Sequence, residues 1–333
     1  MPQDIRIGDI RVASGEQRRG LLPVLNLADS SDMSLPLLVI NGSRDGPRLY
    51  LGAAIHGDEV NGIAILARAL TGIEPQSLSG SIICVPVQHP LAFHADHRLP
   101  VAQFLKSPLD QVPHDAWTCF PGDPSGNVAQ VIASALFNLI KDCDYALDIH
   151  TPTRGGRYVP IAILPHPNLG ACANQAEQMA HNMGGGWIMK GERGMYVSDG
   201  ILCVEATRAG VPCFTFEIGE GGRLEEESVA TGARCVLNLL RSLNMIEGKL
   251  EPAEKTYVMR DFLGIRANRG GLLVPIATLG AEVKRGDALC HVINVYGDEI
   301  QLATAPEDGV FVRTTTLGSV SQGERIATLG LLS

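Results

Sequence analysis

Two imidazoles and a carboxylate stand at a spacing suited to holding a metal ion. His56-Gly57-Asp58-Glu59 supplies a His-x-x-Glu pair, and Asp148-Ile149-His150 supplies a second histidine far downstream. Two His and one Glu are the ligand set of a catalytic zinc that keeps its fourth position open for water. A His and a Glu so spaced converge on one ion when they sit on the tight turn that opens a helix. The third ligand then has to come from another strand of the same sheet. A further carboxylate, Glu217, follows the apolar run 211–216 (VPCFTF) and precedes glycine-rich backbone, Ile218-Gly219-Glu220-Gly221-Gly222. A carboxylate at a strand end suits a general base that takes a proton from an attacking water. His-x-x-Glu alone is common, and a lone His at a strand end is more often structural. The combination, with its strand context, carries the reading.

The elements that must position these groups can be read around them. Residues 47–55 (PRLYLGAAI) form a buried apolar strand pattern ending at His56, and 59–70 an amphipathic helix pattern that starts at Glu59. Residues 144–149 (DYALDI) read as a short strand that delivers His150. Both histidines then lie at carboxyl ends of strands, where open α/β sheets place their ligands. Residues 35–41 and 47–55, separated by a Gly/Ser/Asp turn, are expected to form a hairpin. Another buried strand is expected at 81–87. Val128, Val131, Ile132, Ala135, Leu136, Leu139 and Ile140 recur at helical spacing. A strand at 158–164, a helix near 171–183, the strand to Glu217 and a helix at 226–245 follow. This alternation predicts an α/β fold on a mixed, mostly parallel sheet flanked by helices. Residues 90–126 lack periodicity, and a long irregular loop in a compact domain is usually functional. Of the nearby histidines, His89, His94, His97 and His114 are left without a role.

These residues and motifs resemble a known family. His56-Gly57-Asp58-Glu59-Val60-Asn61-Gly62, the run Phe120-Pro121-Gly122-Asp123-Pro124-Ser125-Gly126, Asp148-Ile149-His150 and Phe216-Glu217-Ile218-Gly219 are similar to motifs of the succinylglutamate desuccinylase/aspartoacylase family, within the zinc carboxypeptidase superfamily. The resemblance runs in motif order through most of the chain. It implies a zinc hydrolase that cleaves the amide of a small-molecule N-acyl substrate, releasing a carboxylate and an amine. By that pattern His56, Glu59 and His150 match the metal ligands and Glu217 the general base. Arg98 matches an arginine that polarises the scissile carbonyl. One departure stands out. Where the family carries an Asn-Arg pair that grips a substrate carboxylate, this chain has Trp117-Thr118. The guanidinium fork is missing there. Either Arg154, Arg157 or Arg208 replaces it, or the substrate offers a less acidic group to the apolar face of Trp117. Two other readings share parts of the pattern: a metal-binding sensor that has lost catalysis, and a carboxypeptidase acting on short peptides.

After about residue 250 the texture changes to short apolar runs, glycines and turns. Residues 271–280 (GLLVPIATLG) match 309–318 (GVFVRTTTLG). Such paired half-motifs resemble the small β-sandwich of biotinyl and lipoyl domains. The expected division is therefore a catalytic domain at 1–250 and a small capping β-sandwich at 251–333. The stretch between the halves, 294–306 (NVYGDEIQLATAP), contains no lysine to carry a prosthetic group, so a carrier role is not expected, and Tyr296 is read as a surface residue.

Composition limits the partners. The chain has 333 residues, 45% hydrophobic, with a formal net charge of -9. That balance argues against nucleic acid and against an anionic membrane surface. No apolar run approaches a membrane span, and the amino terminus has no signal core. The eight cysteines form no Cys-x-x-Cys pair, which fits a reduced cytoplasmic protein. Cys119 is the nearest thiol to the motifs, but no base stands beside it in the sequence. A homo-oligomer is left open.

Overall fold

The computed structural model describes residues 3–100 and 115–333; His114 therefore lies outside the described residues. The centre is a 12-stranded sheet. Three neighbouring strands in its middle run parallel: Arg44–Ala53, Tyr145–His150 and Cys213–Glu220. Their buried stretches are largely apolar because both faces are covered there, as buried parallel strands require. Successive side chains alternate between the two layers. Leu49 and Leu51 join Leu147, Ile149, Phe214 and Phe216 under the helices Asn61–Leu70, Ala171–Met183 and Glu226–Ser242. Tyr50, Ala146 and Cys213 point the other way, against Val128–Ile140 and Leu202–Arg208. The helix Val128–Ile140 starts where the helical spacing begins, because Asn127 and Gln130 form a reciprocal cap over its first turn. Ala171–Met183 stops at Gly184, which takes the left-handed conformation.

Two expectations about the sheet are corrected. It is mixed rather than mostly parallel. Antiparallel pairs join Cys213–Glu220 to Gly156–Ile163, and Asp32–Asn41 to both Ser79–Val85 and Glu16–Asn26. The amino-terminal hairpin of Glu16–Asn26 and Asp32–Asn41, closed by the Leu27–Ser31 turn, adds antiparallel strands at one edge. Secondly, Asp32–Asn41 does not pair with Arg44–Ala53. Ser79–Val85 lies between them. The turn at Gly42 and Ser43 bonds instead to the carbonyls of Gly80 and Pro75, which turns the chain past its neighbour rather than back onto it.

Beyond Ser242 the described residues contain strands and turns. The repeat is visible in the pairing. Gly271–Pro275 pairs with Ser319–Val320, and Gly309–Thr315 with Glu282–Val283, so each long strand takes the short strand of the other copy. These strands are divided between two sheets. Gly271–Pro275, Ala288–Ile293, Glu299–Thr304 and Ser319–Val320 form a separate four-stranded sheet. Tyr257–Arg266, Gly309–Thr315 and Arg325–Leu332 instead extend the main sheet, through Trp187–Met189 and Gly156–Ile163. The carboxyl-terminal strands are thus bonded directly to the strand that follows His150. Among the described residues no helix is long and apolar enough to cross a membrane.

Candidate metal and catalytic site

The three central parallel strands bring the chemistry together at their carboxyl ends. Ala53 lies opposite Ile149, and His150 lies opposite Glu217. His56 follows the first strand, after a left-handed residue at Ala54 that turns the chain sharply. The Glu59 amide donates to the His56 carbonyl at 3.2 Å, closing the turn that opens the helix Asn61–Leu70. Gly57 sits in this turn against the helix Pro90–His94. A side chain there would meet the Ala92 carbonyl oxygen at 1.9 Å, so the close approach admits glycine alone.

His56, Glu59 and His150 are almost wholly buried, and their ligand atoms lie within 4.8 Å of one another. Both histidines present Nδ1 to the same carboxylate: His56 Nδ1 is 2.7 Å from Glu59 Oε1, and His150 Nδ1 is 2.9 Å from Glu59 Oε2. Both turn Nε2 outward to an aspartate, His56 to Asp115 at 3.1 Å and His150 to Asp148 at 2.6 Å. An Nε2–H that donates to a carboxylate leaves a lone pair on Nδ1. This is the outer-shell arrangement that fixes the tautomer of a metal-binding histidine. Asp148 is fixed in turn. It accepts from Trp117 Nε1 at 3.1 Å and from Gln88 at 2.8 Å, and Tyr50 donates to Gln88. The donors therefore fit a cation: two lone pairs and a carboxylate converge in a buried space, and their negative field needs positive charge to offset it.

The electrostatics agree. Burial acts to raise the Glu59 carboxyl, but His56 and His150 hold it at about 2. Burial acts to lower His150, yet Asp148 and Glu59 raise it well above its usual value. His56 is raised in the same way by Glu59 and Asp115. The field that favours a proton on these rings is the field that favours a divalent ion in its place.

Glu217 faces the same cavity from the neighbouring strand. Its Oε1 accepts from the Tyr196 hydroxyl at 2.7 Å, while its Oε2 is buried with no hydrogen-bond partner among the described residues. Burial raises its pKa above the usual carboxylate value, and the Glu59 charge adds to the rise. A strand irregularity between Glu217 and Gly219 interrupts its pairing with Gly156–Ile163, the kind of local break that re-aims a side chain beside a site.

The cavity has a volume of about 140 Å³ and includes His56, Arg98, Trp117, His150, Tyr196 and Glu217 in its wall. Arg98 is one of the lining residues. Its Nε and Nη2 both donate to Asp115, and Nη1 is 3.7 Å from Glu59. Trp117 lines the cavity with its ring, but its N–H is already given to Asp148, so it offers substrate an apolar surface and no donor. The three candidate replacement arginines lie elsewhere. Arg154 pairs with Asp96, Arg157 lies 3.5 Å from Glu225, and Arg208 is held by Asp199 and Glu205. None of the three is in the cavity wall. Two arginines passed over in the sequence are there instead, Arg313 and Arg325. Asp115, Tyr158 and Tyr196 were also missed. Arg313 was the one available signal, a lone charge inside the apolar strand pattern GVFVRTT. Cys119 is no activated nucleophile, because burial pushes its thiol pKa up. Tyr296 is exposed at a hairpin tip, outside the wall.

The sequence model of the succinylglutamate desuccinylase/aspartoacylase catalytic domain matches residues 45–243. The chain belongs to this family. The matched span takes in His56, Glu59, His150 and Glu217, and the resemblance read from those motifs holds. The chain is 25% identical over 306 residues to the N-alpha-acetyl-L-2,4-diaminobutyric acid deacetylase of Halomonas elongata, across 89% of this chain and 85% of that one. Its fold is like that of the product-bound ectoine utilization protein EutE from Ruegeria pomeroyi, with a TM-score of 0.81 at 24% identity over 97% of this chain and 98% of that one. A succinylglutamate desuccinylase/aspartoacylase from Rhodobacter sphaeroides gives a TM-score of 0.81 at 24% identity, with both chains fully covered.

Proposed function

We propose that this protein is a zinc-dependent deacylase that hydrolyses the amide bond of a small N-acylated amino acid or related amine. One observation carries the reading: the buried His56–Glu59–His150 cluster shares a cavity with a buried carboxylate oxygen of Glu217 that has no partner among the described residues. His56 and His150 through Nδ1, with Glu59, would hold the ion. When bound, zinc supplies a Lewis acid and lowers the pKa of its water to about 7.

The remaining work falls to the chain. Glu217 Oε2 takes the proton from the attacking water and returns it to the leaving amine. Its raised pKa suits both halves of that task. Tyr196 holds the other oxygen and so fixes the direction of the free one. Arg98 faces the developing oxyanion with a guanidinium oriented by Asp115, so its strongest interaction comes in the transition state. Asp115 and Asp148 keep both imidazoles in the tautomer that binds metal. The small cavity supports a metabolite-sized substrate over a peptide. The relative's acetylated amino-acid substrate supports the same class. We further propose the division into 1–250 and 251–333, with the second part closing the site, and a reducing, cytoplasmic setting supported by eight free cysteines. The test is release of free amine from a panel of N-acyl amino acids. Chelation should abolish it and zinc restore it. Release that survives complete metal removal overturns the reading.

A further inference from the structure

The cavity wall also carries two arginines outside the ligand cluster. Arg313 comes from the strand Gly309–Thr315 and Arg325 from the start of Arg325–Leu332. Arg313 Nη1 is buried and has no hydrogen-bond partner among the described residues. Among those residues neither guanidinium forms an ion pair within 4.0 Å. A guanidinium keeps its charge in any protein setting, and a buried donor left without an acceptor is costly. Burial above all, with the nearby Arg325 charge, acts to lower the Arg313 pKa, against Tyr158 and Glu217, which act to raise it.

The backbone holds them there by construction. Arg313 lies directly opposite Tyr158 in the pairing of Gly309–Thr315 with Gly156–Ile163. A bulge between Phe311 and Arg313 interrupts the pairing with Arg325–Leu332. Regular alternation would put Phe311 and Arg313 on one face; the bulge releases Arg313 from the apolar cluster that takes Phe311. The Arg313 guanidinium then lies over Gly156, where a side chain would meet Nη2 at 2.4 Å. A second register shift, between Ile265 and Arg266, adjoins Arg325, whose guanidinium lies over Gly264.

We propose that Arg313 and Arg325 bind the carboxylate of the amino-acid part of the substrate, supplying from the carboxyl-terminal strands the fork that Trp117-Thr118 does not provide. The inference rests on the deacylase reading and narrows it to N-acyl amino acids with a free carboxylate. The geometry places the two unsatisfied groups in one cavity: a carboxylate oxygen of Glu217 for the scissile end, and an N–H of Arg313 for the anionic end. Arginine is suited to this role because its planar fork matches a carboxylate in two places at once.

The experiment uses the zinc-loaded protein and a panel of N-acetyl-L-amino acids, each beside its α-carboxamide. Hydrolysis is measured for the native chain, Arg313→Gln, Arg313→Lys and Arg325→Gln. Binding of the same pairs is measured by calorimetry in a Glu217→Gln background. Arg325 is exposed, so its substitution keeps the test alive if Arg313→Gln fails to fold. The free acid should be preferred over the amide by roughly 10- to 100-fold in kcat/KM. Either glutamine variant should remove most of that preference, chiefly through KM, with Arg313→Lys between. Equal treatment of acid and amide, or a preference that survives both glutamine variants, overturns the proposal. Hydrolysis without a carboxylate preference sinks the arginine fork and leaves the deacylase standing. A carboxylate preference in binding without hydrolysis does the reverse. Absence of both overturns the two together.

Discussion

The two walls of the cavity are built on opposite principles. On the ligand wall His56, Glu59 and His150 are closely surrounded: both Nε2 atoms rest on aspartates, and Asp148 is held by Trp117 and Gln88. In another part of the wall Arg313 and Arg325 come from strands carrying bulges, and a buried N–H of Arg313 has no partner among the described residues. A resident ion needs ligands held in place before it arrives, and outer-shell hydrogen bonds do that. A ligand that comes and goes needs donors left vacant for it. Under the proposed function, the difference would separate what the fold holds permanently from what it meets once per turnover. Glu217 stands between the two, with one oxygen fixed by Tyr196 and one free.

The largest expected effect comes at that junction. Glu217→Gln keeps the shape and removes the base, so turnover should fall by roughly 10²–10⁴-fold. Bound metal should stay. Unchanged turnover, followed by single-turnover assay, would take the base role away from Glu217. A smaller effect is expected behind the ligand wall. Asp148→Asn removes the charge that orients His150 and should weaken metal affinity by roughly 10- to 100-fold, read by competition with a chromophoric chelator. An affinity equal to that of the native chain would mean that the surrounding packing alone orients the ring. The smallest effect is a shift in pH dependence. The Tyr196 hydroxyl stabilises the charged form of Glu217 and so acts to lower its pKa, against the rise caused by burial. The base works when deprotonated, so the rate falls as pH drops through that pKa. Tyr196→Phe removes the lowering contact, and the acid limb of kcat/KM should move to higher pH. A limb that stays, or moves to lower pH, would show that the hydroxyl does not tune the base.

The ligand wall was also the legible one. His-x-x-Glu is local, and each of its partners ends a strand whose apolar run is plain, so strand order alone brought His56, His150 and Glu217 together. The arginine wall was hidden for physical reasons. Arg313 reaches the site through a bulge and a pairing with Gly156–Ile163, and neither leaves a periodic trace in the sequence. Arg154 and Arg157 looked better placed because they follow His150 closely, yet local acidic partners draw both away. The fold shows the same division. Helices with one apolar face and buried parallel strands were readable. The large share of antiparallel strands was not, since the strand Glu16–Asn26 is polar along much of its exposed length, and the hairpin expected around Gly42 depended on which strand would come to lie between.

The proposed function stands or falls on His56, Glu59 and His150 forming one metal site. Elemental analysis of purified native protein beside His56→Ala and His150→Ala tests it most directly. About one zinc per native chain, lost from both variants while each stays folded by circular dichroism, is the predicted result, as three ligands with one open position imply. Full metal occupancy in both variants would contradict it.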